Sequence, residues 1–301
     1  MTALSKIGEF GLIERFKRFQ NLSRHVVTGM GDDAAVLEYD KTRYQLLTTD
    51  MMVEGRHFWS SMCPEEVGYK ALATNISDIA AMGGVSRSAV ISLGVPGKMD
   101  ADYLQKIYQG FYRLARKFGV SLVGGDTVAS DKIIINVALL GEVEKKNLVL
   151  RSGAQAGDVI FVSGGLGNSF KSGRHLTFVP RTKEARFLVE HFKPSAMIDI
   201  SDGLAGDLGH VLKASCVGAE LDERFIPVHQ DAMLDQALYE GEDYELLFTL
   251  SPVKAQRLAR SKRGDFCFYP IGVIVPGRPK LTLRRKNGKN ISLKTKAFSH
   301  F

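Results

Sequence analysis

Cysteine is scarce in this sequence: the three present, Cys63, Cys216 and Cys267, are odd in number, far apart and never spaced as Cys-x-x-Cys. A disulfide framework and a zinc knuckle are thereby excluded, and a reducing cytoplasm is the expected compartment. No run approaches the roughly 18 apolar residues of a membrane span, and Met1 to Phe19 is charged and amphipathic without an apolar signal core. Neither secretion nor a membrane partner is expected. Basic stretches interleaved with aromatics are also missing, so the formal charge of +7 suits an enzyme of small anions, and no nucleic-acid partner is expected. Internal repeats and low-complexity tracts are absent. Gly165 to Ser172 nearly spells a phosphate-cradling loop, but Phe170 stands before Lys171 where that loop needs glycine. The same stretch lacks the third glycine of a dinucleotide fingerprint.

What is present is a normal globular composition, 301 residues of which 45% are hydrophobic, enough for two domain cores. Turn signals cluster in Arg151 to Asp158, and the division expected is 1–145 and 146–301. The stretch Ala71 to Gly84 forms the centre, a helical run of small and apolar residues carrying Asp78 near its end. Pro64-Glu65-Glu66 reads as its first turn and Gly83-Gly84 as its stop. Strands are expected at 45–50, 88–95 and 132–140 and an amphipathic helix at 101–118, an α/β or α+β pattern. In the second half, Val159 begins a strand that runs into the glycine loop. Phe266 to Val275 reads as a further strand, and a basic hairpin turns at Asn287-Gly288.

Six aspartates, Asp33, Asp50, Asp78, Asp126, Asp199 and Asp202, each stand beside Gly, Ser or Thr at the end of an apolar element. Rigid scaffolds present functional groups at such places. Asp202 is also well placed to cap the helix that follows it, a competing structural role. Carboxylates converging without cations would repel, so bound metal is inferred. Oxygen donors without a cysteine cluster favour a hard ion, Mg²⁺ before Mn²⁺ or Ca²⁺. Magnesium takes few protein ligands per ion, so this many acids point to several ions around a polyphosphate and hence to phosphoryl transfer.

The segments Gly31-Asp-Asp-Ala-Ala35, Thr48 to Phe58, Asn75 to Gly83, Val123-Gly-Gly-Asp-Thr127, Leu150-Arg-Ser-Gly153, Ile198 to Leu204 and Gly241 to Thr249 together resemble the thiamine-monophosphate kinases. These belong to the superfamily of aminoimidazole ribonucleotide synthetase-like enzymes. The resemblance runs nearly end to end and implies a two-domain, α+β, PurM-like fold. Its N-terminal mixed sheet would pair across a homodimer, and an α/β sandwich would follow. It implies ATP-dependent phosphorylation of thiamine monophosphate to thiamine diphosphate, assisted by several Mg²⁺ ions and with no general base. By the family pattern Asp33, Thr48, Thr49, Asp50, Asp78, Asp126, Asp199 and Asp202 resemble magnesium ligands. Gly125, Asp126, Arg151 and Ser201 resemble ATP contacts, and His57, Glu242 and Phe298 resemble the substrate side. Arg56, Glu240, the 297–300 segment and a shortened 168–181 region depart from the pattern, all on the substrate side. The alternatives are another ATP-dependent activity of the superfamily and a non-catalytic ATP/Mg²⁺ sensor. Relatives that synthesise selenophosphate carry an early Cys or selenocysteine, and hydrogenase-maturation relatives a terminal one; neither is expected here, since Cys63 is the first cysteine and the chain ends Ser299-His-Phe301.

Overall fold

The computed structural model describes residues 4–261 and 264–294. Phe298, read as a substrate-side aromatic, lies outside the described residues. In the first half, α1 (Leu4–Lys17) is broken at Gly8. It is followed by β1 (Val26–Thr28), β2 (Ala35–Glu38), β3 (Arg43–Val53), α2 (Pro64–Ala81), β4 (Val85–Val95), α3 (Ala101–Phe118), β5 (Ser121–Ala129) and β6 (Ile134–Glu144). The strands form a six-stranded sheet in the order β1-β2-β3-β6-β4-β5, with β4 and β5 parallel and the other pairs antiparallel.

In β3, Leu46, Thr48 and Met52 are buried, whereas Leu47, Thr49 and Met51 are exposed on the other face, as the two-residue period of a strand requires. The strand runs on past Asp50 to Val53, so Asp50 sits within a strand and not at a loop tip. Its pairing with β6 continues to Ile134, and that ladder outweighs the local turn signal of Gly55. The β5 strand likewise carries through Gly124-Gly125-Asp126 to Ala129.

Helix α2 is buried around nearly its whole surface. Pro64 and two acids begin it, and Gly83, at φ 76°, ends it. It touches α3 at bare backbone: a Cβ on Gly68 would meet the Ile107 carbonyl oxygen at 1.9 Å, and one on Gly110 the Glu65 oxygen at 1.9 Å.

The second half contains β7 (Val159–Val162), α4 (Ser169–Ser172), α5 (Thr182–His191), β8 (Ala196–Asp199), α6 (Leu204–Ser215), β9 (Gly218–Asp222), α7 (Leu234–Tyr239), β10 (Leu246–Leu250), α8 (Pro252–Arg260), β11 (Tyr269–Val275), β12 (Leu281–Arg284) and β13 (Asn290–Leu293). Its seven-stranded sheet has the order β13-β12-β9-β11-β7-β10-β8, in which β12 runs parallel to β9. Ile160, Ile198 and Leu247 turn to α6 and α7, while Phe161, Met197 and Phe248 turn to α5 and α8. Being covered on both faces explains why these strands read as unbroken apolar runs. Ala80 and Ala81 of α2 join the second of these layers, so α2 belongs to the cores of both halves. No described helix is long and apolar enough to cross a membrane.

Candidate metal and phosphate site

A cleft of about 1150 Å³ opens where α2, β3, α6 and the 240–244 loop meet. At its floor, Asp33, Asp78 and Asp199 each bring a carboxylate oxygen within 4.8 Å of the others. Three elements deliver them: the loop before β2, the last turn of α2 and the end of β8. Thr48 Oγ1 donates to Asp78 Oδ2 at 2.6 Å, and Ser77 Oγ donates to Asp199 Oδ2 at 2.5 Å. Consecutive residues of one helix thus fix one carboxylate against each half. Arg151 closes the group by donating from Nη2 to Asp33 Oδ1 at 2.5 Å, and its backbone N–H meets Asp32. The second Asp33 oxygen, Oδ2, is buried with no hydrogen-bond partner.

Electrostatics in this floor are unfavourable for bare acids. Burial, then the nearby Asp33, pushes Asp199 up to about 8. Burial and the neighbouring Asp50, Asp199 and Asp33 hold Asp78 well above the usual carboxylate range. Burial also raises Asp50, against a hydrogen bond from Thr74, and it raises Asp202 to about 7. Acids of this kind ionise together only beside added positive charge. An orphaned buried oxygen and an all-oxygen donor set fit a hard divalent cation.

Asp202 does not cap α6. The N-cap is Gly203, which makes no side-chain cap bond, and the Asp202 backbone N–H instead donates to Asp207 Oδ2 at 3.0 Å. Capping is therefore corrected, and Asp202 lines the cleft. Asp50, His57, Arg151, Ser201 and Glu242 line it as well. Thr49 lines the cleft too, although its hydroxyl is spent on the Val137 carbonyl at 2.9 Å. Gly125 and Asp126 are exposed on the edge strand β5 and are not brought to the cleft within one chain. The reason is topological: β5 is separated from β3 by β4 and β6.

Reading the sequence missed two charged groups here. Asp207, buried one turn into α6, crowds Asp202 and Asp199, and burial first holds it well above its usual range. Its signal was an acid inside the small apolar run Leu204 to Leu208. Lys70, 1% exposed, was a lysine inside the α2 apolar run. Its Nζ donates to the His57 carbonyl at 3.1 Å and to His175 Nδ1 at 2.8 Å, and it pairs with Glu242 Oε2 at 2.6 Å. Three N–H bonds have three partners, so this ammonium ties three loops together. Burial, then Lys70, pushes His175 down to about 3; the ring is neutral and accepts at Nδ1. Glu242 and Tyr244 both hold left-handed φ values, 69° and 51°. Such backbone costs of order 1–3 kcal/mol per residue and persists where surroundings over-determine it. Here Glu242 N–H donates to the Ser201 carbonyl and Tyr244 N–H to the Ile200 carbonyl.

Comparison with known proteins matches two family models, the AIR synthase related protein N-terminal domain over residues 31–143 and the C-terminal domain over residues 155–284. A thiamine-monophosphate kinase of Buchnera aphidicola (subsp. Schizaphis graminum) is 36% identical, over 97% of this chain and 98% of that protein. One from Bacillus subtilis is 34% identical, over 97% and 99%. Among solved structures, AaThiL complexed with AMPPCP and TMP superposes with a TM-score of 0.86 at 32% identity, covering 100% of this chain and 99% of that one.

Proposed function

This chain belongs to the thiamine-monophosphate kinases of the AIR synthase related family, and from that premise we infer that it transfers the γ-phosphoryl group of ATP to the phosphate of thiamine monophosphate, giving thiamine diphosphate and ADP. The observation that carries this at the level of chemistry is the Asp33, Asp78 and Asp199 group with its orphaned buried oxygen. Asp33, Thr48, Asp50, Asp78, Asp199 and Asp202 are the residues that would hold magnesium. Thr49 lines the cleft but its hydroxyl is held by Val137, and Asp126 keeps that assignment on the family pattern alone. Bound magnesium supplies charge neutralisation between two anionic phosphates.

The chain's own residues do the rest by position. A phosphate monoester has a second pKa near 6, so the attacking oxygen is already deprotonated and no base is needed. Arg151, whose Nε and Nη2 hold Asp33, brings its guanidinium charge to phosphate oxygens beside Ser201, while His57 and Glu242 face the acceptor. Alignment of two bound reactants lowers the barrier without a covalent intermediate.

Phosphorus NMR of the protein with ATP, Mg²⁺ and thiamine monophosphate tests this. The expected result is the doublets of thiamine diphosphate growing with ADP, abolished in Asp78→Asn. ATP bound but unchanged would overturn the kinase and favour a non-catalytic sensor.

The proposal extends to a cytoplasmic homodimer divided as 1–145 and 146–301. Supporting the pairing, β5 is exposed along almost its whole length, and Leu47, Met51, Val90, Val123 and Val128 form an exposed apolar set on this sheet. Gly125 and Asp126 lie on the same strand, so their nucleotide and metal roles are tied to the paired state. Light scattering at micromolar concentration should give twice the 33.1 kDa chain mass; a monomer would refute the pairing.

A further inference from the structure

We propose that Trp59 and Phe170 form a rigid aromatic wall that selects the cationic ring of the acceptor, an inference that rests on the kinase reading above. Both side chains line the same cleft as the carboxylates. Trp59 is 43% exposed there, an apolar surface left open in a polar site. Phe170 projects from α4. Its ring stacks on His175 at 4.3 Å and 22°, and meets Trp59 edge-on at 5.3 Å and 69°. The stack cannot drift, because His175 is held through Nδ1 by the buried Lys70, whose Nζ also stands 5.7 Å from the Phe170 ring centre. Preorganised rings spend little entropy on binding.

The charge around the wall decides what it takes. Glu242, paired with Lys70 and held by the Tyr244 hydroxyl at 3.1 Å, and Asp50 line the cleft together with the wall, as do Arg56 and Lys171. Aromatic faces beside carboxylates attract a delocalised cation. A thiazolium ring carries a permanent positive charge; adenine is neutral. The wall therefore suits the acceptor and not the nucleotide base.

Trp59 is the sole tryptophan of the chain, so its emission reports this wall alone. Titrating wild-type protein with thiamine monophosphate in Mg²⁺, without ATP, should quench it saturably. Phe170→Leu keeps apolar bulk and removes the ring; it should raise the apparent Kd and the KM for thiamine monophosphate about tenfold while leaving the KM for ATP unmoved. Phe170→Tyr should restore both, which separates the wall from a folding defect. Quenching by ATP but not by thiamine monophosphate would assign the wall to adenine and overturn the proposal. So would a Phe170→Leu protein that turns over thiamine monophosphate with wild-type KM, an outcome that leaves the kinase reading intact. Quenching by thiamine monophosphate in a wild-type protein that makes no thiamine diphosphate would remove the kinase reading and keep the wall.

Discussion

Asp199 and Asp78 show how much of this site is work done against solvation. Their burial disfavours the ionised state that a divalent cation requires. The sign follows for the metal-free protein. A carboxyl raised from 3.8 in the unfolded chain to about 8 in the folded one binds its proton more tightly when folded, so stability falls as pH rises through that window. Added Mg²⁺ should oppose the fall. Thermal unfolding with and without EDTA should differ little at pH 5 and by several degrees at pH 8, and an equal effect at both would count against metal held by these acids. The acids were legible in the sequence because each stands beside a small residue. Lys70 and Asp207 were not, since a charge inside an apolar helical run looks the same whether it snorkels outward or is buried with partners.

At the scale of elements, α2 decides the architecture. Gly68 and Gly110 let it approach α3 until backbone meets backbone. Gly68→Ala has no flexible neighbour to displace, and we expect a loss of about 2–3 kcal/mol in denaturant unfolding; a loss below about 0.5 kcal/mol would mean the helices can part freely. Both helices were readable, α2 from its proline and acids at one end and glycines at the other, and α3 from its periodicity. Their closeness was not, because a helical glycine carries no mark of what it faces. The ends of β3 and β5 escaped for a related reason: pairing with β6 and β4 extends them through residues whose local preference is to turn.

Across the whole molecule, the halves are clasped away from the cleft by Arg186 of α5, which reaches Glu144 at the end of β6 through two bonds of 2.7 and 3.0 Å and donates to the Gly83 carbonyl. The Arg186 hydrogen bonds hold Glu144 down at about 2. A depressed carboxylate gives stability that is present above its unfolded value of 4.5 and is lost as pH falls toward 2. Glu144→Gln should flatten the acid limb of a stability-pH curve between those values. The effect should be small because the pair is only partly buried and still screened by solvent. The alternation of strands and helices made the first half legible, and the resemblance implied the two-domain plan; the clasp was not legible, since its partners lie far apart in sequence.

Ser77 and Asp78 are neighbours on α2, yet the first holds Asp199 of the second half while the second is held by Thr48 of the first. Any rotation of one half against the other must therefore pull the carboxylates apart or press them together. Metal bound there would pin the two halves to each other through neighbouring residues of one helix, so loading the site should stiffen the molecule as well as set the chemistry in the cleft.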